Sequence, residues 1–256
     1  MNKLIPIFFL VAILTSCADS YVIEGSSTVP QLDGSKLYLK VLKGNELTSI
    51  DSCEVVHGKF RFNGSLDTTQ MASLYMDDQN IMPLVVEKGN ISILIESTKQ
   101  KVSGTILNDR LYEFLEKHDR LTNQLNELDH RYGQMLLNGI DEAEIDKTLT
   151  AEGTVIMQQE DSLVTDFVTS NFDNVLGPFV FVRMSTSIPQ IEHILSKAPE
   201  SFKRLSTVDE FYKFVTGAGD VQNHEQPTSA PNGEAPDGEI DDATIQNILN
   251  GNENAN

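Results

Sequence analysis

The chain has 256 residues, 39% of them hydrophobic, enough for one large domain or two small ones around a packed core. Its 19 basic residues stand against 38 acidic ones, a formal charge of −19. Such a polyanion gains no counterion-release affinity for nucleic acid, and anionic lipid headgroups repel it unless a covalent anchor holds it in place.

The N-terminus supplies such an anchor in the sequence pattern. Lys3 followed by the apolar run Leu4 to Leu14 has the form of a secretory signal, 11 apolar-region residues long, well short of the roughly 20 a bilayer span requires. Leu14-Thr15-Ser16-Cys17 then matches the lipobox of bacterial lipoproteins, in which the cysteine thiol takes a diacylglyceryl group and cleavage occurs before it. Residues 1–17 are therefore expected to be a lipoprotein signal with Cys17 as the lipid-attachment site. The protein is expected in the cell envelope, held to the outer membrane; with only Asp19 acidic near the anchor, the periplasmic face is favoured. With Cys17 lipidated, Cys53 is the one thiol left, so no internal disulfide forms. Cys53 sits in an expected strand without Lys, Arg or His beside it, which fits a buried structural thiol better than a reactive one.

From Tyr21 to Ile95 the chain is β-rich, with seven expected strands: Tyr21 to Glu24, Lys36 to Leu42, Leu47 to Val56, Lys59 to Phe62, Met71 to Met76, Met82 to Val86 and Ile91 to Ile95. Turn signals recur between them, among them Asp33-Gly34, His57-Gly58, Asn63-Gly64 and Lys88-Gly89-Asn90. This spacing predicts an antiparallel sandwich or barrel over residues 18–103. Ile50 to Gly64 has the pattern of a β-hairpin turning at His57-Gly58, with Phe60 and Phe62 on one face. In Lys36 to Val41, alternation sends Leu37, Leu39 and Val41 inward and the lysines toward water.

Helical periodicity starts after Ser103-Gly104. Leu107, Leu111, Phe114, His118, Leu121, Leu125, Leu128, Tyr132 and Met135 fall on one stripe, with Asn108-Asp109 as the expected cap. After the breaker Asn138-Gly139 a second stripe runs through Ile145, Leu149, Ile156, Leu163 and Phe167, so the two helices are expected to fold back as a hairpin. Their seam can be mutual, can lie on the sandwich, or can pair with a second copy. Three short helical stretches come next: Val175 to Met184, one capped by Ser187 with Pro189 in its first turn, and one opened by the capping box Thr207 to Glu210. The helical region spans 104–216. Residues 217–256 hold eight acidic side chains and no Lys or Arg, a composition expected to be disordered, with 240–249 as a transient helix at most. The fold class is therefore α+β.

Few motifs carry chemistry. Glu127 and His130 have the Glu-x-x-His spacing of di-iron bundles but lack the second such pair those sites need, so a solvated polar face is expected. His118 is expected to be a satisfied seam histidine. No nucleophile elbow, zincin helix or phosphate-binding glycine loop occurs, and no catalytic, metal or cofactor site is predicted. Asp67-Thr68-Thr69 resembles an O-glycosylation pattern of exported proteins and otherwise reads as a surface loop.

Asp51-Ser52, Val56-His57-Gly58-Lys59-Phe60-Arg61-Phe62-Asn63-Gly64, Leu32-Asp33-Gly34 and Pro83 to Ile91 together resemble an envelope family, domain of unknown function 4369. Its members are typically Bacteroidota lipoproteins in which this domain precedes a thioredoxin-like module with Trp-Cys-x-x-Cys. The resemblance covers about residues 21–115. This sequence departs from the pattern beyond it, having no Trp and no Cys-x-x-Cys, so thiol–disulfide exchange is not carried over. The expectation is a non-enzymatic, lipid-anchored binding or assembly module; the alternative is an accessory to a separate thioredoxin-like envelope protein.

Overall fold

The computed structural model describes residues 19–44 and 46–217; Cys17, the signal segment and the acidic tail lie outside them. Strands β1 (Ser20–Ser27), β2 (Lys36–Lys43), β3 (Glu46–Glu54), β4 (Lys59–Ser65), β5 (Gln70–Met76), β6 (Gln79–Val86), β7 (Gly89–Ile95) and β8 (Gln100–Ser103) form two four-stranded sheets. Their orders are β4-β1-β7-β8 and β3-β2-β5-β6. Alternation along the strands, broken by register shifts at Leu39/Lys40 and Leu74/Tyr75, sends one set of side chains between the sheets. Ile23, Phe62 and Ile93 from the first sheet and Leu37, Leu39, Leu74 and Leu84 from the second are buried there in one core. The expected sandwich is present, and the α+β class with it.

Three details differ from the sequence expectation. The first is an eighth strand, β8, only four residues long with Val102 as its single buried residue. The second is that β1 and β7 run parallel, while every other pair is antiparallel. Third, the expected hairpin at Ile50 to Gly64 opens at its base. His57 and Gly58 both take positive φ, 50° and 68°, and Val56 and Lys59 exchange backbone hydrogen bonds of 2.9 and 3.0 Å across them. That is the turn chemistry of a tight hairpin. Beyond this single bridge β3 goes to one sheet and β4 to the other. The corner is fixed from outside: Ser27 N–H donates to the Gly58 carbonyl at 2.8 Å and Gly58 N–H donates to Asp33 Oδ1 at 3.1 Å. Phe60 and Phe62 do share the inner face, edge to face at 6.1 Å. Phe60 lies over Gly25, where a Cβ would come within 2.0 Å of its ring, so the glycine makes room for the aromatic side chain.

The helical layer consists of α1 (Ile106–Leu137), α2 (Glu142–Thr169), α3 (Leu176–Met184), α4 (Ile188–Lys197), α5 (Glu200–Lys203) and α6 (Ser206–Val215). Helices α1 and α2 form the expected antiparallel hairpin, turning at Gly139 with φ 76°. Their seam is mutual: Phe114 stacks on Phe167 at 4.2 Å and His118 Nε2 meets Glu160 at 2.9 Å. The cap of α1 is not the one expected. Thr105 is the N-cap residue, and Glu87, from the end of β6, accepts the Leu107 and Asn108 N–H groups at 2.8 and 3.2 Å. Asn108 instead turns to the edge of β6, where its side chain accepts from Val85 N–H at 2.8 Å and donates to Val85 O at 2.7 Å. It replaces a missing neighbouring strand and closes an open edge. Helix α6 begins at Ser206 behind an N-cap at Leu205, so Thr207 lies inside its first turn and is not its cap. Ser187 caps α4 as expected, its hydroxyl accepting from Gln190 N–H at 3.3 Å.

Candidate functional site

Helix α3 is a short apolar rod with two differently committed faces. One face carries Phe181, whose ring meets Phe202 at 5.7 Å and Phe211 at 5.4 Å, which ties α3 to α5 and α6. Gly177 fixes its depth, because a Cβ there would sit 2.3 Å from the Asn171 carbonyl. Asn171 is a buried hub: its side chain accepts from Arg110 at 2.8 Å and from Asn174 at 3.0 Å and donates to Phe167 O at 2.7 Å. Asn174 in turn accepts from Leu176 N–H at 3.0 Å. These contacts lock α1, α2 and the start of α3 together.

The other face of α3, with Val175, Pro178, Phe179, Val182 and Arg183, stands over the outer face of β2 and β5 and leaves a cavity of about 280 Å³. From the sheet side Lys40, Leu42, Met71, Ser73 and Tyr75 line it, and Thr207 of α6 lines it too. The walls are mostly apolar, and the charged groups among the lining residues are Lys40 and Arg183. Lys40 Nζ rests 4.5 Å above the Tyr75 ring and 5.8 Å from that of Tyr38, cation–π geometry that holds the charge at the rim. Among the described residues Lys40 forms no ion pair; its remaining contact is a long 3.5 Å donation to the Asp77 carbonyl. Arg183 lies over Phe179 at 5.5 Å. Burial pushes the Tyr75 phenol up from its ordinary pKa, with the Arg183 charge opposing that shift, so Tyr75 is a neutral hydrogen-bonding group at physiological pH. The arrangement suits a small amphipathic anion: an apolar body against Met71 and Val182 and a negative end beside Lys40.

Sequence reasoning assigns Lys36 and Lys40 to a face that meets water. In the structure both lie on that outer face, Lys36 exposed and Lys40 half-buried where it lines the cavity. Nothing local announces the cavity, because its two walls are about a hundred positions apart in the chain.

The remaining residues with chemical potential lie away from this cavity. Glu127 and His130 are both exposed on α1, and among the described residues no three His, Cys, Asp or Glu side chains converge on a point. Cys53 is half-buried at the open side between β3 and β4, its thiol pushed up to about 11 by burial first, with Asp51 adding to the shift and a hydrogen bond from the Arg61 backbone opposing it. A thiol so shifted is almost entirely protonated near neutrality and is a poor nucleophile. Asp67, Thr68 and Thr69 form the exposed β4–β5 loop. None of the described helices is long and apolar enough to cross a membrane.

A two-sheet sandwich with an attached helical layer and a lateral cavity defines an α+β protein with a ligand-sized site. Residues 21–111, about a third of the chain, match the family model described as Domain of unknown function (DUF4369). That span covers every strand but the first residue of β1, together with the opening of α1. No curated protein matches the chain.

Proposed function

We propose that the protein is a lipid-anchored component of the cell envelope, attached through Cys17 to the outer membrane on its periplasmic side, and acts there as a non-enzymatic binding module. The observation that carries the binding role is the cavity between α3 and the β2–β5 face, with apolar walls and with Lys40 free of any carboxylate partner among the described residues. At about 280 Å³ it lies at the small end of ligand sites, which suits a small amphipathic anion bearing one negative group. The lipobox at Leu14 to Cys17 supports the anchor, and several acyl chains at roughly 0.8 kcal/mol per buried methylene make such an anchor stable.

The test is a titration with anilinonaphthalene sulfonate, an amphipathic anion, on the chain from Ala18 onward. Binding is expected, with loss in Ser73→Phe, which fills the cavity. In Lys40→Ala it should weaken about tenfold, as for removal of one charge-assisted contact. Binding that neither substitution alters removes the cavity from consideration. A second reading, which rests on the resemblance of residues 21–115 to domains that precede a thioredoxin-like module, is docking onto a separate thioredoxin-like envelope protein. Its signature is a chain inert in insulin reduction that co-purifies with such an oxidoreductase.

A further inference from the structure

The described body ends at Gly217, two residues beyond α6, and the first turn of α6 already touches the cavity through Thr207. Helix α6 rises about 15 Å, so the chain leaves the body close to the site. Residue 239 lies 22 positions beyond Gly217, and at up to about 3.5 Å per residue that length of chain is enough for the C-terminal segment to reach the cavity. That segment has a distinct chemistry. Residues 217–256 contain eight acidic side chains and no basic one, and apart from Val221 their large aliphatic residues are Ile240, Ile245, Ile248 and Leu249. Glu239, Asp241 and Asp242 adjoin the first of these. Setting aside Lys3 and the eight tail acids leaves 18 basic and 30 acidic residues, so most of the body repels this segment. The rim of the cavity presents the opposite charge together with an apolar floor.

We infer that segment 239–249 of this same chain docks in the cavity between α3 and the β2–β5 face, its aliphatic side chains on Met71 and Val182 and its carboxylates toward Lys40. This rests on the cavity being the binding site. Tethering favours an occupant in cis: a segment of the same chain meets the cavity at an effective concentration in the millimolar range, so even a weak contact is populated. The tail then competes with any external ligand and sets the concentration at which that ligand enters.

The experiment compares the chain from Ala18 to Asn256 with its Ile245→Asp/Ile248→Asp variant, which leaves every described residue unchanged. The deciding readout is the isotope-labelled methyl resonance of Met71, a cavity residue, with Met82 in the core and Met135 on α1 as internal controls. The Met71 signal is expected to move while the controls stay, and anilinonaphthalene sulfonate should bind the variant about fivefold more tightly because its competitor is gone. Superimposable Met71 signals overturn the inference. If the probe still binds in a Lys40-dependent way, the binding site survives and only its occupant is wrong; if it does not bind either chain, both fail. A Met71 shift that grows with protein concentration assigns the site to a second copy's segment and overturns docking in cis.

Discussion

The two ends of α1 share one heptad-like stripe yet are held by different physics. At its root, Leu111, Tyr112 and Phe114 are buried against the sandwich and α2, Asn108 is fully buried, and Glu87 caps the helix from another element. Toward the tip, Leu121, Leu125, Leu128 and Met135 are only half-buried, because α2 alone covers them, and Leu137 is 90% exposed. Polar contacts there run between surface groups, Arg131 with Glu152 and Tyr132 with Glu142 at 3.0 Å. A regular pattern of apolar residues therefore fixes which face of a helix is used, while the number of neighbours available at each level decides how much each residue contributes.

The largest effect that distinguishes the ends is expected from Phe114→Ala, which empties a site filled against Phe167 and should cost about 3–5 kcal/mol in denaturant unfolding. Leu128→Ala, on the same stripe, packs over Gly153 of α2 and should cost roughly 1 kcal/mol. Equal costs would dissolve the distinction. Asn108→Leu is next in size. It keeps the bulk but strips Val85 of its donor and its acceptor in a buried place, for a loss of about 2–4 kcal/mol. A near-neutral Asn108→Leu would mean that water reaches the β6 edge, and the root would then be no drier than the tip.

Legibility from sequence divides along a similar line. The stripe from Leu107 to Met135, the breaker at Gly139 and the Ser187 cap are all visible, because each is set by residues within a few positions of one another. The turn at His57-Gly58 is visible for the same reason. The path of the chain beyond that turn is not: β3 and β4 part company because Ser27 and Asp33, more than twenty positions away, fix the corner, and β1 accepts β4 and β7 on either side. Period-two alternation assigns a face to each side chain and says nothing about which sheet a strand joins. Asn108 resembles a cap because Asn is a good one; that it serves as a substitute strand depends on where β6 ends. The cavity is invisible for the same reason, since Lys40 and Tyr75 acquire their role only through residues of α3 and α6 about a hundred positions away.

Alkaline pH offers a smaller and independent contrast. The groups whose ionisation is suppressed chiefly by burial, Cys53, Tyr21, Tyr75 and Tyr112, belong to the sandwich and the root of α1. The Cys53 thiol ionises near its ordinary value of 9.0 in the unfolded chain and near about 11 in the fold. Between those values the unfolded chain holds fewer protons than the folded one, so stability falls as pH rises through that window and is fully present below it. Cys53→Ser should flatten part of this fall in unfolding midpoints measured from pH 8 to 11. A profile identical to the parent's would mean that the thiol is as well solvated as one in an unfolded chain.

The smallest effect is expected at the Arg131–Glu152 pair. Both side chains are well exposed, at 39% and 46%, and the Arg131 guanidinium is raised above its usual pKa mainly by its hydrogen bond to Glu152 and the charge of that partner, not by burial. Water and salt compete for such a pair, so its formation leaves little net stabilisation. Arg131→Ala is therefore expected to leave the unfolding midpoint where it is, at low and at high salt alike, and amide exchange in residues 120–150 should be already faster than near Phe114 in the parent chain. A clear, salt-sensitive loss would show that the tip is clamped by its surface charges. The gradient along α1 would then reflect electrostatics, and the thinning of its neighbours would no longer account for it.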